Sequence, residues 1–390
     1  MRALLAFDKF KDSLTAPDAC AIVAGALRAM HPDWTIDACP LADGGEGFCA
    51  ILTHAAGGEI LTTPVTGPRG QAAQGTIGFV DLERIPSQAR AMLHFSSLKS
   101  PISDPTDRVA VIEMASASGL ALLESSARDP WQTTTTGTGE LIRLAAERGV
   151  VGILLGVGGS ATNDLGLGAL ATLGLGFHAH QGEPIAPPIP ARWHEISRLA
   201  GRLARPLPPI RIACDVTNPL LGPRGAAATY GPQKGLRPED LARLDHESAR
   251  LALMLCAHCG QPDSLMDVPG AGAAGGISFG LMAGAGARLL PGFDLVAAWL
   301  GLEARLAAAD LVITGEGRFD DSSLQGKGPG AVAARALALD KKVHVFAGCA
   351  TATHPPANLA VHAITPAGVV LDAALLQAPQ FLDAAVRATF

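Results

Sequence analysis

The stretch LLGVGGSATND, residues 154–164, combines a bare backbone with small polar side chains. Amide N–H groups at the carboxyl end of a strand can approach phosphate oxygens, and the N-terminus of a following helix adds partial positive charge. The stretch therefore predicts a phosphate-binding turn that includes Gly158 and Gly159. The alternative is that its four polar side chains only cap the helix that follows: Ser160, Thr162, Asn163 and Asp164.

Three further glycine-containing or proline-containing turns follow predicted strands and carry carboxylates: ADGGEG at 42–47, CDVTNPL at 214–220 and TGEGRFDD at 314–321. Each turn alone is also compatible with a helix cap or an Asx turn. In a doubly wound fold the carboxyl ends of the strands line one crevice, so separate turns can converge on one ligand. Carboxylates that face a phosphate imply Mg²⁺ between them.

Lysines in turns are a further type of residue that could take part in chemistry. DKFKDSL at 8–14 supplies Lys9 and Lys11, GPQKG at 231–235 supplies Lys234, and QGKGP at 325–329 supplies Lys327. A lysine in a turn is most often a solvated surface residue. Their position in rigid turns nevertheless favours a role in neutralising phosphate or carboxylate charge.

Two glycine runs match dinucleotide fingerprints, at 156–161 and 270–275. A nicotinamide site also needs an acidic ribose ligand about twenty residues further on, and after the first run only Glu183 is available, in a proline-rich loop. No G-x-x-x-x-G-K-[ST] sequence is present. A nicotinamide-dependent oxidoreductase of small hydroxy acids therefore stays as the second interpretation.

The elements that must position these turns alternate between short apolar runs and helical patterns, which predicts an α/β fold with parallel strands. The ends of the chain give strands at 2–7, 35–40, 310–314, 343–347 and 362–365, and helices at 16–30, 295–308, 330–339 and from 371. The middle gives strands at 59–65, 73–80, 109–115, 150–155 and 210–215, helices at 137–148 and 165–173, and a surface excursion at 83–108. We predict one doubly wound domain from residues 1–58 and 290–390, with residues 59–289 inserted as a second α/β domain.

Composition limits the class of ligand and compartment. The 390 residues are 48% hydrophobic and 17% charged, which is typical of a globular chain with two domains. A net charge of −6 without a basic stripe argues against nucleic acid. Residues 268–287 carry no charge, but seven of them are glycine, so they predict a loop and a buried helix rather than a membrane span. The short apolar start and the seven scattered cysteines favour a cytoplasmic protein with free thiols.

Seven motifs occur together in a fixed order: DKFKDSL (8–14), ADGGEG (42–47), GVGGSATND (156–164), ACDVTNPL (213–220), YGPQKG (230–235), VPGAGAAGG (268–276) and VITGEGRFD (312–320). This set resembles the bacterial glycerate kinase family and spans nearly the whole chain. The resemblance implies ATP-dependent phosphorylation of D-glycerate, with 2-phosphoglycerate as the expected product. It also implies a flavodoxin-like domain with an inserted α/β domain and an active site in the cleft between them. The connection at 83–108 and the segment after Gly348 depart from the family pattern.

For this activity we predict a role for each group of candidate residues. Phosphate or nucleotide binding is predicted for Gly158, Gly159, Ser160, Thr162, Asn163, Gly272, Gly275 and Lys234. Charge neutralisation is predicted for Lys9 and Lys11, and proton abstraction for Asp43 or Asp215. Substrate binding is predicted for Ser13, Asn218 and Lys327, and Mg²⁺ binding for Glu316 and Asp320. A homo-oligomer is compatible with the sequence, and a non-catalytic binding protein for small carboxylates is the third interpretation.

Overall fold

The computed structural model describes residues 1–95, 107–320, 323, 328–351 and 356–390. The strands are β1 (Arg2–Phe7), β2 (Thr35–Ala38), β3 (Glu59–Thr66), β4 (Ala72–Asp81), β5 (Arg108–Glu113), β6 (Gly152–Gly156), β7 (Gly176–His178), β8 (Arg198–Ala200), β9 (Ile210–Ala213), β10 (Arg288–Leu290), β11 (Leu311–Phe319), β12 (Lys342–Ala350) and β13 (Leu359–Ala363).

The α-helices are α1 (Ala16–Met30), α2 (Phe48–Ala55), α3 (Ser87–Leu93), α4 (Ala115–Ser118), α5 (Thr136–Glu147), α6 (Leu167–Thr172), α7 (Ala226–Tyr230), α8 (Leu241–Cys259), α9 (Ala273–Ala285), α10 (Gly292–Leu300), α11 (Leu302–Ala308), α12 (Gly328–Ala338), α13 (Leu371–Leu376) and α14 (Ala378–Thr389). Short 3₁₀ helices lie at Leu82–Arg84, Leu120–Leu122, Ser125–Ala127, Pro130–Gln132, Pro190–Glu195, Pro232–Lys234, Pro238–Asp240 and Asp263–Asp267.

The described chain divides into two compact units. Unit 1 contains Met1–Asp43 and Val296–Phe390, and unit 2 contains Gly44–Leu295. The α/β class with parallel sheets is confirmed. The division at 58/59 and 289/290 stays a prediction.

The sheet of unit 1 is parallel throughout, in the order β13-β12-β11-β1-β2. Numbered within the unit, this is the 2-1-3-4-5 order of flavodoxin-like folds, with the switch point between β1 and β11. Residues Ala3–Phe7 of β1 are fully buried, and alternate ones pack in one core with α1 and α14. A continuous apolar run is what a central parallel strand requires, because both of its faces are covered.

The predicted bounds of helix α1 are confirmed at both ends, and local hydrogen bonds explain why. The Oγ1 of Thr15 accepts a hydrogen bond from the N–H of Asp18 at 3.2 Å, and a proline stands in the first turn. At the other end the N–H of His31 donates to the carbonyl of Leu27. These are ordinary start and stop signals that can be read from sequence.

The sheet of unit 2 is mixed, with parallel and antiparallel strands. Its order is β10-β9-β6-β5-β4-β3, and β4 runs antiparallel to both of its neighbours. Strands β5, β6, β9 and β10 are parallel. The carboxyl ends of β5, β6 and β9 therefore meet at one edge, which is where the predicted phosphate turn and Asp215 lie.

Several predicted elements differ from the structure; the last helix, predicted from 371, is divided into α13 and α14, and the strand predicted at 362–365 is β13, Leu359–Ala363. The helix predicted at 295–308 is two helices, because Gly301 adopts a left-handed φ of 64° between α10 and α11. The helix predicted at 165–173 begins only at Leu167, since Leu165 and Gly166 have positive φ. Within the predicted excursion 83–108, α3 buries Ala89 and Leu93, and residues 96–106 lie outside the described part.

Candidate active site

Four carboxylates gather at the carboxyl ends of the central strands of unit 1, and we call them the acidic edge: Asp8, Asp43, Glu316 and Asp320. Asp8 follows β1, Glu316 lies in β11, and β1 pairs with β11. Burial, together with the charges of Asp8, Asp320 and Asp43, raises the pKa of Glu316 to about 7, against a hydrogen bond from Ser323. The carboxyl ends of adjacent parallel strands thus bring the acids together, although the turn predicted at 314–321 is part of β11 as far as Phe319.

Lys9 contacts the acidic edge through an ion pair with Asp43. The Nζ of Lys9 lies 3.2 Å from the Oδ1 of Asp43, and the two side chains are 20% and 50% exposed. Lys11 is exposed, and the Oγ of Ser13 donates to the carbonyl of Phe10 at 3.1 Å. Lys9 is therefore placed among the carboxylates, whereas Ser13 stabilises its own turn.

The acidic edge has donor atoms of the kind that Mg²⁺ prefers. All four side chains offer oxygen, and the buried Oε1 of Glu316 has no hydrogen-bond partner in the described part of the chain. The described residues contain no group of three or more His, Cys, Asp or Glu side chains gathered at one metal position. Because Mg²⁺ commonly takes one or two protein carboxylates together with phosphate oxygens and water, the donor set fits Mg²⁺ held jointly with a nucleotide.

The predicted phosphate turn, residues 156–164, leaves β6 in unit 2. The N–H of Gly158 donates to the carbonyl of Gly44 at 2.9 Å, and a Cβ on Gly158 would stand 2.7 Å from atoms of Gly45. Gly159 is exposed with a φ of 71°. No acceptor among the described residues takes the N–H of Gly159 or Ser160. Glycine at 158 thus permits close packing, and the next two amides are those available to an anion.

The polar end of this turn is buried. Asp164 accepts hydrogen bonds from the N–H and Oγ1 of Thr135, both at 2.8 Å, and from the N–H groups of Gly166 and Gly168. Burial raises the pKa of Asp164, and these hydrogen bonds oppose the rise. The capping interpretation is therefore right for Asp164, which fixes the start of α6. Sequence reasoning missed Thr135, and its signal was the run TTTT at 133–136, of which the first three residues are buried.

Thr162 and Asn163 are fully buried. The Oγ1 of Thr162 and both side-chain atoms of Asn163 have no hydrogen-bond partner in the parts of the chain that the structure describes. A buried polar group without a partner is costly, so such groups point to a ligand or water that completes them. Their assignment to nucleotide binding stays a prediction.

Three other predicted residues are engaged within the protein. The N–H of Gly272 donates to the carbonyl of Asn218 at 3.0 Å. The side chain of Asn218 bonds the carbonyl of Arg224, the Oγ1 of Thr229 and the hydroxyl of Tyr230. A Cβ on Gly275 would lie 2.0 Å from the carbonyl oxygen of Thr162. The second glycine run therefore packs on the polar end of the turn 156–164. Lys327 lies outside the described residues.

Asp215 holds the beginning of α10. Its Oδ2 accepts a hydrogen bond from the N–H of Phe293 at 2.9 Å. If this is its whole role, Asp215→Ala should lower the free energy of unfolding by about 1 kcal/mol, and Asp215→Asn should change it little because asparagine keeps an acceptor oxygen. We expect kcat of Asp215→Asn to stay within about tenfold of the wild type. A folded Asp215→Asn protein whose kcat falls a hundredfold or more would instead identify Asp215 as the base.

Lys234 gives unit 2 a pH-dependent stability. Burial lowers its pKa from 10.5 to about 7, and the charge of Asp164 partly opposes the change. Between these values the unfolded chain binds more protons than the folded one, so the free energy of unfolding should rise with pH, by at most about 1.4 kcal/mol per unit from this group. Denaturant unfolding of the wild type and Lys234→Met at pH 7 and pH 9 measures this. The wild type should gain stability relative to the variant as pH rises; parallel curves would contradict the shift.

Comparison with known proteins decides the family. The glycerate kinase family model matches residues 3–390. The chain belongs to the glycerate kinase family. It is 35% identical over 395 aligned residues to a glycerate kinase of Bacillus subtilis, covering 99% of this chain and 96% of that protein. It is 37% identical to a glycerate 2-kinase of Escherichia coli K12, covering 90% and 86%.

A solved structure agrees with this membership. The crystal structure described as glycerate kinase 2 from Salmonella typhimurium LT2 superposes with a TM-score of 0.75 at 37% identity, covering 100% of this chain and 97% of that one. This member of the glycerate kinase family is therefore a kinase. Among its described residues, no helix is both long enough and apolar enough to cross a membrane.

Proposed function

We propose that this kinase transfers the γ-phosphoryl group of ATP to the 2-hydroxyl of D-glycerate, releasing ADP and 2-phosphoglycerate. The observation that carries the proposal is the match to glycerate kinases over nearly the whole chain, including one relative described as a glycerate 2-kinase. The acidic edge and the phosphate turn supply the chemistry that such a transfer needs: a base, anion-binding amides and oxygen ligands for a metal ion.

In this proposal Asp43 takes the proton of the attacking hydroxyl. Its side chain is half exposed, so it can meet a substrate, and the ammonium of Lys9 at 3.2 Å fixes its orientation. Asp215 is the weaker candidate, because one of its carboxylate oxygens already accepts the N–H of Phe293. Proton acceptance by a positioned carboxylate makes the hydroxyl oxygen a better nucleophile toward phosphorus.

Two kinds of groups would stabilise the negative charge of the phosphates: protein donors and a metal ion. The N–H groups of Gly159 and Ser160 are expected to donate to phosphate oxygens, and Lys11 to pair with a phosphate or the glycerate carboxylate. Glu316 and Asp320 are expected to hold Mg²⁺. When bound, the metal ion would neutralise charge that develops on the phosphoryl oxygens.

The remaining assignments stay predictions from the sequence. Thr162 and Asn163 would complete their hydrogen bonds with bound nucleotide or with water. The other residues predicted for nucleotide or substrate contact are Gly158, Gly272, Gly275, Lys234, Ser13, Asn218 and Lys327. Of these, Ser13, Gly158, Gly272, Gly275, Asn218 and Lys234 already use polar groups within the protein.

The direct test is acceptor-dependent release of ADP. The purified full chain is incubated with MgATP and D-glycerate, with L-glycerate, and with no acceptor, and ADP is followed by a coupled assay. We expect D-glycerate to raise ADP release well above the ATP-only rate and L-glycerate to raise it far less. An ADP rate with D-glycerate equal to the ATP-only rate would contradict the proposal.

A further inference from the structure

Lys234 is a buried lysine that is hydrogen-bonded to the phosphate turn, residues 156–164. It ends the 3₁₀ helix Pro232–Lys234, and only 1% of the residue is exposed. Its Nζ donates hydrogen bonds to the Oγ of Ser160 at 3.0 Å and to the carbonyl oxygen of Thr162 at 2.6 Å. These partners lie 74 and 72 residues away in sequence, so the contacts tie two distant segments together.

The negative charge that opposes the positive charge of Lys234 is that of Asp164, at the other end of the same turn. Asp164 is fully buried and is held by Thr135, Gly166 and Gly168. An ammonium removed from water is tolerated only when it is paired or hydrogen-bonded. The segment 160–164 is therefore fixed at its beginning by Lys234 and at its end by Asp164.

The direction of these hydrogen bonds indicates that Lys234 is not a phosphate-binding residue. Two of its three donors are directed at a carbonyl and a hydroxyl of the turn, and Gly275 approaches the same Thr162 carbonyl so closely that a Cβ would stand 2.0 Å away. A carbonyl oxygen presents negative charge, which disfavours a phosphate at that place. Lysines that bind nucleotide phosphates need an ammonium that the incoming anion can reach.

We propose that Lys234 is a positioning residue, which holds the turn that carries the Gly159 and Ser160 amides and makes no contact with the nucleotide. The proposal rests on the proposed function for the role of these amides. It predicts that loss of the ammonium loosens the turn before any nucleotide is present. It also predicts weaker ATP binding, because the two amides lose their fixed orientation.

Hydrogen exchange of the ligand-free full chain tests the first consequence. In Lys234→Met the amides of residues 158–164 should exchange at least about tenfold faster than in the wild type. The matched control is Lys342→Met, which removes an exposed lysine on β12 and should leave this exchange unchanged. Wild-type exchange in a folded Lys234→Met protein that has lost ATP affinity would overturn the proposal, because it would indicate direct phosphate contact.

A milder variant keeps the test valid if Lys234→Met fails to fold. Ser160→Ala removes one hydrogen-bond acceptor of the Lys234 Nζ and leaves the side chains of Lys234 and Asp164 in place. It should accelerate exchange at residues 158–164 by a smaller factor than Lys234→Met. Exchange in Ser160→Ala equal to that of the wild type would count against the proposal.

Steady-state kinetics distinguish positioning from a general structural role. In Lys234→Met the KM for ATP should rise at least about tenfold while the KM for D-glycerate changes less than threefold, since the turn serves the nucleotide. Equal rises in both KM values would overturn the proposal. The exchange experiment requires no activity, so failure of ADP release would reject the proposed function without deciding the role of Lys234.

Discussion

Asp43→Asn is expected to lower kcat by about 100-fold to 10,000-fold, the range in which a positioned general base contributes. Asparagine keeps the shape of the side chain but cannot accept the hydroxyl proton. The exposed ion pair with Lys9 is lost, which should cost less than about 1 kcal/mol of stability. ADP release at saturating ATP and D-glycerate measures kcat, and denaturant unfolding measures stability.

The control for this prediction is Asp33→Asn, which changes an exposed aspartate in the loop before β2. It should leave both kcat and stability near the wild-type values. An Asp43→Asn enzyme with kcat within tenfold of the wild type would remove Asp43 as the base. A large loss in Asp215→Asn together with near-normal activity in Asp43→Asn would move that role to Asp215.

Gly275→Ala is expected to lower the free energy of unfolding by about 3 kcal/mol or more. Gly275 has a φ of 71°, and its Cβ would stand 2.0 Å from the Thr162 carbonyl oxygen and 2.5 Å from the Cα of Asn163. Both neighbours are backbone atoms, which cannot move away as the end of a side chain can. Thr162 and Asn163 belong to the phosphate turn, so the substitution should also disturb that turn.

Gly286→Ala provides the matched control at the other end of α9. Gly286 has a φ of 64°, but nothing lies within 4 Å of the added Cβ. Only the left-handed backbone conformation is penalised, at about 1 kcal/mol. Denaturant unfolding of both variants separates the two effects. Equal losses would mean that the close approach at Gly275 contributes nothing beyond its φ.

The sequence predicts most reliably where local signals decide the structure. The N-cap of Thr15 and the stop at His31 define α1 because both act within a few residues. The acidic edge is predictable for a related reason: carboxylates after neighbouring parallel strands must share one edge of the sheet. The break at Gly301 is missed because a single glycine inside an apolar periodicity is compatible with a continuous helix.

The contacts that could not be predicted from the sequence are those made by tertiary packing. The bond between Asp164 and Thr135 joins residues 29 apart, and that between Lys234 and Thr162 joins residues 72 apart. Neither bond has a local signature, so the sequence gives no sign that Asp164 binds Thr135 or that Lys234 is buried. The same holds for the close approach of Gly275 to the backbone of Thr162 and Asn163.

The position of the transferred phosphoryl group tests the central claim most directly. The product formed from MgATP and D-glycerate is passed to enolase, which accepts 2-phosphoglycerate, with and without added phosphoglycerate mutase. We predict that enolase turns the product over at once, without the mutase. Turnover only after the mutase is added would show attack by the 3-hydroxyl and contradict the proposed 2-kinase.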